Sequence, residues 1–590
     1  MRDLNTFGGA LARATGVDAS GNVVVGWAQN GSGEQRAFRW TESSGLVSLG
    51  TLSGGVASSA AAVSADGNVV VGQSDIGGGY YRAFRWTEAG GMQNLGTLGG
   101  GWSQAFGVNR DGSVVVGNGS NGMQYNAFRW TTGGPMQDLG TLGGNESVAY
   151  SVDYSGDVVV GFARLASGAA HAFRWTSAGM VDLNTLGGTT SVARDVNSDG
   201  TVIVGHADIA GNVARRAFRW TESDGMLAVE DWLRNNGVTI ASDFTADAAA
   251  VSADGRVVVG TTESDTTFIA RLVEHASGGG SGIIDVAQYL TTVASLPSIN
   301  IGISFAGTTL NGVHGEPMRN LLDAGRQSFS VTTDVGYDDG ATSRGGLGLG
   351  DFSYAIGLEG GVTARLASGG LYTRQDIDTG GDFNQKGVYI APEASLPIAN
   401  GFYATVGGYY AFSGLAINRG YLNAGLPDYS RGQADTRTWA AKLRLDWLNA
   451  ASGHNWNLTP YTSLAYIRSH VEAYSEHGGS FPSAFDSVSD HSTVARAGLD
   501  IVADVTDSFR LTGKAEAAYR FENRTAERSG RIIGLSGFRL AGQDVDQFWL
   551  RGAVGAEVDT NVGTAFVSIN ATTNGDDPNL WLKSGWKVNF

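Results

Sequence analysis

The side chains with the most chemical capacity are scattered through this sequence. His470, Glu472, Glu476, His477 and His491 bring imidazoles and carboxylates into one polar stretch, the donor types that hold zinc. Their spacing fits no metal-ligand motif, so a solvated loop accounts for them better, and no metal or cofactor is expected. Gly101-Trp102-Ser103-Gln104-Ala105 comes nearest to a G-x-S-x-G nucleophile elbow, but the last glycine is missing and the segment falls at a repeated turn. Asn311-Gly312 carries the atoms for succinimide self-cleavage, yet Asn-Gly is more often simply a turn. No H-E-x-x-H motif and no phosphate loop occurs. Repeated Asp-Gly pairs lack the G-G-x-G-x-D pattern of calcium-binding rolls, and turn chemistry explains them. What remains is a set of arginines at one recurring position: Arg39, Arg85, Arg129, Arg174 and Arg219. They suit either a ring that binds anionic glycans or structural pairing, and pairing is the plainer role. No catalytic residue is expected.

The scaffold must therefore carry the functional reading. At 590 residues the chain is too long for one core. Gly is abundant at 89 and Pro scarce at 9, while 42% of residues are hydrophobic without a long apolar run. Short strands and turns fit this composition. No stretch suits a membrane helix, but a mean hydropathy of -0.09 is compatible with a membrane β-barrel, whose strands alternate in polarity. Cysteine is absent, which excludes disulfides and thiolate chemistry and suits passage through an oxidising compartment. A net charge of -17 argues against nucleic acid as a partner.

The N-terminal half is one unit repeated. AFRW recurs with its Trp at 40, 86, 130, 175 and 220, and an aliphatic triplet flanked by glycines precedes each copy. A sixth, degenerate copy runs from Gly255 to Leu272. A third element, Met92-Gln93-Asn94-Leu95-Gly96-Thr97-Leu98-Gly99-Gly100, recurs from Met136 and Met180. Four strands are expected per unit: Leu-Gly-Thr-Leu, an Ala/Ser-Val-Ser segment, the valine triplet and AFRW-Thr. Asp66-Gly67, Asp111-Gly112, Asp199-Gly200 and Asp254-Gly255 mark tight turns. Four strands in about 45 residues is the period of a β-propeller blade, so a propeller of about six blades is expected over 1–274, in preference to a β-solenoid. Met1 falls inside a repeat and no signal peptide is visible, so one is expected upstream of the given start.

These repeats resemble the extracellular HAF repeat family, whose tripeptide stands intact as His171-Ala172-Phe173. The resemblance implies an exported protein and no particular activity.

Ala276-Ser277-Gly278-Gly279-Gly280-Ser281-Gly282 reads as a linker, and a pore-threading helix is expected from Ile283 through Val293 and Leu296. Beyond it, Trp439, Ala441, Leu443, Leu445 and Trp447 alternate with Lys442, Arg444 and Asp446. Phe509, Leu511, Gly513, Ala515, Ala517, Tyr519 and Phe521 alternate with Arg510, Thr512, Lys514, Glu516 and Arg520. Such runs suit tilted membrane strands with an apolar outside and a charged lumen. About twelve strands are expected from Ser328 onward, an even number that closes the sheet, with Asn418 to Asp435 and Glu472 to Asp490 as extracellular loops.

The last strand sets Leu580, Leu582, Trp586, Val588 and Phe590 against Lys583, Lys587 and Asn589. A terminal Phe on such a strand resembles the signal read by the outer-membrane assembly machinery, so Trp586, Val588 and Phe590 are assigned to it. The C-terminal half resembles the autotransporter β-domain of type V secretion. That resemblance implies an all-β chain with three parts: a repeat passenger at 1–274, a linker and pore helix at 275–325, and a 12-stranded barrel at 326–590. It implies a barrel in the outer-membrane bilayer of a Gram-negative bacterium and a passenger on the cell surface. The expected passenger role is adhesion to a glycan or host protein. A surface hydrolase or lyase is the alternative.

Overall fold

In the computed structural model, which describes residues 3–273, 279–296, 300–340, 342–573 and 575–590, strands dominate. They form two compact units, one from the repeats and one from the C-terminal half. Residues 276–278 of the Gly/Ser run and the pair Met1-Arg2 lie outside the described residues.

Each repeat makes four antiparallel strands. In the second they are Ser58–Val63, Val69–Asp75, Tyr81–Thr87 and Gly91–Asn94, paired in that order. Both faces of the sheet are covered by neighbouring sheets, so Val69, Val70 and Val71 are all buried instead of alternating. One apolar core fills each gap: Val23, Val25, Ala37, Leu49 and Leu52 of the first repeat meet Ala60, Val70 and Phe84 of the second. The glycine after the triplet has a steric cause. The first strand bulges between Ala60 and Ala62, and a Cβ on Gly72 would lie 2.1 Å from the Ser59 carbonyl oxygen.

Among the described residues, six four-stranded sheets follow one another in this propeller-like arrangement. The third and fourth share one bridge, Tyr125 to Glu146, and so join as an eight-stranded sheet. Each later first strand packs on the sheet before it, whereas Gly8–Val17 is exposed along most of its length, with Leu11 and Val17 each at 57%.

Two strand expectations are corrected. Leu-Gly-Thr-Leu is not a strand; the fourth strand is the preceding Gly-Met-Gln-Asn, because Leu95 turns into the gap between sheets and Gly96 takes φ +84°. Ile283 and Ile284 do not begin a helix. They lie in Gly282–Asp285, the fourth strand of the sixth sheet, where they are buried in an apolar core. A helix that the repeat pattern does not announce, α1 (Val229–Asn235), sits between the fifth and sixth sheets.

The Asp-Gly turns take positive φ at glycine as expected, +74° at Gly67 and +73° at Gly112. Hydroxyl donors hold their aspartates below the ordinary carboxylate value: Ser64 bonds Asp66, Ser113 bonds Asp111, Thr201 bonds Asp199 and Ser252 bonds Asp254. A depressed folded value gives stability that is present above the unfolded value near 3.8 and is lost as pH falls through the folded one. The melting temperature of the repeat unit, followed by tryptophan fluorescence, should therefore drop as pH is lowered below about 4. Combined Asp66→Asn and Asp111→Asn should flatten that acid slope; an unchanged slope would remove these turns as its origin.

Among the described residues of the C-terminal half, twelve long strands close into a barrel. The last, Leu580–Asn589, pairs antiparallel with the first, Gln327–Asp339, and Leu426–Trp447 pairs with Trp456–Val471. Alternation holds in both expected runs: Trp439, Leu443, Leu445 and Trp447 face outward, while Lys442, Arg444 and Asp446 are buried inside. Leu511 and Tyr519 face out and Lys514, Glu516 and Arg520 face in.

The expected loop Asn418 to Asp435 instead continues two strands. Phe402–Asn423 and Leu426–Trp447 meet through Ala424 and Gly425, at φ +55° and +79°, a two-residue hairpin that needs no loop. The stretch Glu472 to Asp490 is partly ordered as strands. Tyr474–Ser475 and Ser483–Phe485 join Arg528–Ile532 and Gly537–Leu540 in a small sheet separate from the barrel wall.

Candidate functional site: a plugged barrel lumen

α2 (Val286–Ala294) and α3 (Asn300–Thr308) follow the repeats in sequence, and α3 packs against the barrel strand Trp456–Val471. A tight helical turn, Thr309–Val313, continues α3. The end of a helix leaves carbonyls without intrahelical donors and carries partial negative charge. Wall cations meet carbonyls at this helix end and in the chain just beyond it. Arg551 Nη1 donates to the Asn311 carbonyl at 2.8 Å and Lys583 Nζ to Gly312 at 3.0 Å. Arg444 Nη1 reaches the Gly315 carbonyl at 2.8 Å and Lys587 Nζ that of Arg319 at 3.0 Å. Lys442 Nζ donates to Leu310 at 2.5 Å.

Carboxylates balance the wall itself. Arg444 pairs with Asp446 at 2.6 Å and Asp500 at 2.8 Å, and Arg496 with Glu516 at 2.7 Å and Asp577 at 2.6 Å. Buried cations without acceptors are costly, so plug and wall satisfy each other. The arrangement positions a polypeptide segment inside the barrel; it sets out no reaction. Asn311 lies within it, and its side-chain amide donates to the Gly307 carbonyl at 3.0 Å.

Ser103 is fully buried and receives the Ala83 amide at 2.9 Å while donating to the Gly96 carbonyl at 2.6 Å. It is a lock between the second and third sheets. Ser58, Ser147 and Ser191 make the same pair of bonds at the other gaps. Sequence reading missed this lock, although a serine recurring at 58, 103, 147 and 191, in step with AFRW, is its signal. At the sixth sheet Glu230 of α1 replaces it, accepting from the amides of Phe244 and Thr245 at 3.0 and 2.8 Å.

The recurring arginines reach into the next repeat's turn. Arg39 Nε donates to the Gly67 carbonyl at 3.2 Å, and Arg85 and Arg129 reach Gly112 and Gly156 at 2.9 Å. Arg219 reaches Gly255 at 3.4 Å, while Arg174 Nε makes no such bond. The histidine-rich stretch does not converge. His470 bonds Ser489 at 2.8 Å, Glu476 pairs with Arg419 at 2.7 Å, and His491 lies 3.6 Å from Glu522. Trp586 and Phe590 lie on the outward face of the closing strand.

Residues 324–572 match the family model described as the autotransporter β-domain. The barrel is an autotransporter β-domain. It lies in the outer membrane, and the repeats are its surface passenger. An uncharacterized protein in the trpE-trpG intergenic region of Pseudomonas putida is 25% identical over 320 residues, covering 48% of this chain and 50% of that protein. The chain thus spans about half the length of the curated relative it matches. Among solved structures, the translocator domain of NalP from Neisseria meningitidis is similar at 13% identity and a TM-score of 0.38, covering 49% of this chain and 98% of that one. The β domain of the Bordetella autotransporter BrkA gives 12% and 0.33, covering 45% and 98%. A TolB from Agrobacterium tumefaciens gives 12% and 0.29, covering 37% and 80%.

Proposed function

We propose that the β-domain presents the repeat unit to bind a partner outside the cell, as an adhesin does. The observation that carries this is a patch of exposed rings at the sheet edges. Tyr80 and Tyr125 are 55% and 52% exposed, Met123 is 93% exposed, and Trp102 packs edge-on to Tyr125 at 5.9 Å. Tyr and Trp offer apolar area with a polar tip at small entropic cost, the usual make-up of a recognition surface. A glycan or host protein is the partner class. Four of the five recurring arginines direct Nε at turn carbonyls, which leaves anion binding as a secondary role.

The alternative of a surface hydrolase or lyase finds its best group at His206, whose Nδ1 lies 3.1 Å from Asp247, with Arg194 3.3 Å from the same carboxylate. The His206 side chain is only 6% exposed, which favours the binder.

Protease shaving of intact cells tests display. Release of the repeats with the barrel protected supports the reading, and protection of the repeats sinks it. Adhesion lost in a Tyr80→Ala, Tyr125→Ala double variant that is displayed normally would support the patch; unchanged adhesion would refute it. The same shaving assay addresses Phe590, whose amide and carbonyl both pair with Gln327 at 2.9 Å. We assign Trp586, Val588 and Phe590 to recognition by the assembly machinery, so deleting Phe590 should sharply reduce displayed passenger at equal expression. Undiminished display would remove that assignment.

A further inference from the structure

A nine-residue helix is not stable alone in water, so α2 must be held by its surroundings. One side chain does most of this. Arg419, on the strand Phe402–Asn423, is fully buried and gives Nε and Nη2 to the two oxygens of Glu476 at 2.9 and 2.7 Å. It also reaches α2 twice, with Nη2 to the Tyr289 hydroxyl at 2.7 Å and Nη1 to the Thr292 hydroxyl at 3.0 Å. Its guanidinium lies over the rings of Tyr289 and Tyr421 at 4.6 and 5.0 Å. Glu476 belongs to the loop 472–487 and also accepts the Ser483 amide at 2.8 Å, while the Ser483 hydroxyl meets that of Tyr289 at 2.9 Å.

The second loop, 521–547, grips the other end of the helix. Arg528 gives Nη1 to the Val293 carbonyl at 2.8 Å and Nη2 to that of Leu296 at 2.7 Å, and Gln543 donates to Ala294 at 2.9 Å. These are the orphan carbonyls of the helix end, where a cation is also favoured by the dipole. Both loops contribute strands to the small sheet, which is distinct from the barrel sheet and is tied to its wall by a bridge between His477 and Arg431. The barrel strands pair and close without it, so it can form or open as one piece by making or breaking that bridge and the Arg419–Glu476 pair.

We propose that Arg419, Glu476 and the two-loop sheet are a latch that closes over α2 once the passenger has passed, holding the plug in the pore. Without Tyr289 and Thr292 the buried guanidinium would keep Glu476 and the Phe481 carbonyl at 3.3 Å but lose the acceptor of Nη1, a disfavoured state for a buried charge. The latch thus depends on arrival of the linker. Arg419 is a positioning residue, and the inference rests on the β-domain, not on what the passenger binds.

The test is conductance of the full-length chain in planar bilayers, with heat-modifiable gel migration confirming a folded barrel. Arg419→Met and Arg528→Met should raise open conductance several-fold and make the α2 segment cleavable by protease. Arg437→Met, which removes an exposed cation paired with Glu472 at 2.7 Å, should change neither. If Arg419→Met fails to fold, Tyr289→Phe keeps the ring, loses the hydroxyl bonds, and should give the same loosening. Folded variants with the parent's conductance and a protected α2 overturn the latch, as does equal opening by Arg437→Met.

Discussion

Phe84→Ala should destabilise the repeat unit by about 3–5 kcal/mol, among the largest losses available to one side chain. Phe84 is fully buried, and its ring projects from the second sheet into the gap filled by Val23, Val25, Ala37, Leu49 and Leu52 of the first. Locked sheets cannot collapse into the vacated volume, because the Ala37 amide is fixed to Ser58 at 2.9 Å and the Ser58 hydroxyl to Gly50 at 2.6 Å. Each sheet packs on its sequence neighbours, so the damage should be local, as in other repeat proteins. Hydrogen exchange should quicken first in residues 24–48. Phe106 is the internal comparison: it is half-buried and packs edge-on to Tyr150 at 5.5 Å, so Phe106→Ala should cost much less. Urea unfolding decides, and equal losses at the two positions would mean that the gaps between sheets are not where the core lies.

The sequence made the repeat legible because burial on both faces forces a residue type at each position. Val69 to Val71 and the Phe of AFRW can only be apolar, and Gly72 can only be glycine where the bulged strand approaches. The fourth strand was misread because Leu95, the most conspicuous apolar residue nearby, fills a gap from a loop instead of a strand. In the barrel, alternation carried the strand count, since lipid and lumen demand opposite polarity. It did not reveal the hairpin at Ala424-Gly425, whose flanking strands are polar and resemble a loop in composition. The plug contacts were illegible for a different reason. Arg551 meeting the Asn311 carbonyl joins residues 240 apart, and only the closed register brings them together. Arg419 likewise carries no local signature; its partners arrive from a helix and a loop far along the chain.

Alternation also makes the sharpest quantitative claim about the barrel. Leu443 is 49% exposed on the outer face of Leu426–Trp447, midway between the outward Trp439 and Trp447. Aromatic side chains of this kind sit at the two membrane interfaces, which places Leu443 near the middle of the hydrocarbon. Leu443→Arg should therefore cost about 2–4 kcal/mol of barrel stability. Its neighbours in sequence, Lys442 and Arg444, face the lumen instead and find acceptors there at Leu310 and Gly315. The expected readout is a lower urea midpoint for the heat-modifiable band in lipid vesicles. Trp447→Arg, at the interface, should cost about 0–1 kcal/mol by the same depth dependence, apart from the lost stacking on Phe402 at 5.2 Å. A Leu443→Arg barrel as stable as the parent would mean that this face meets water or protein instead of lipid, and the membrane register of the strand would have to be redrawn.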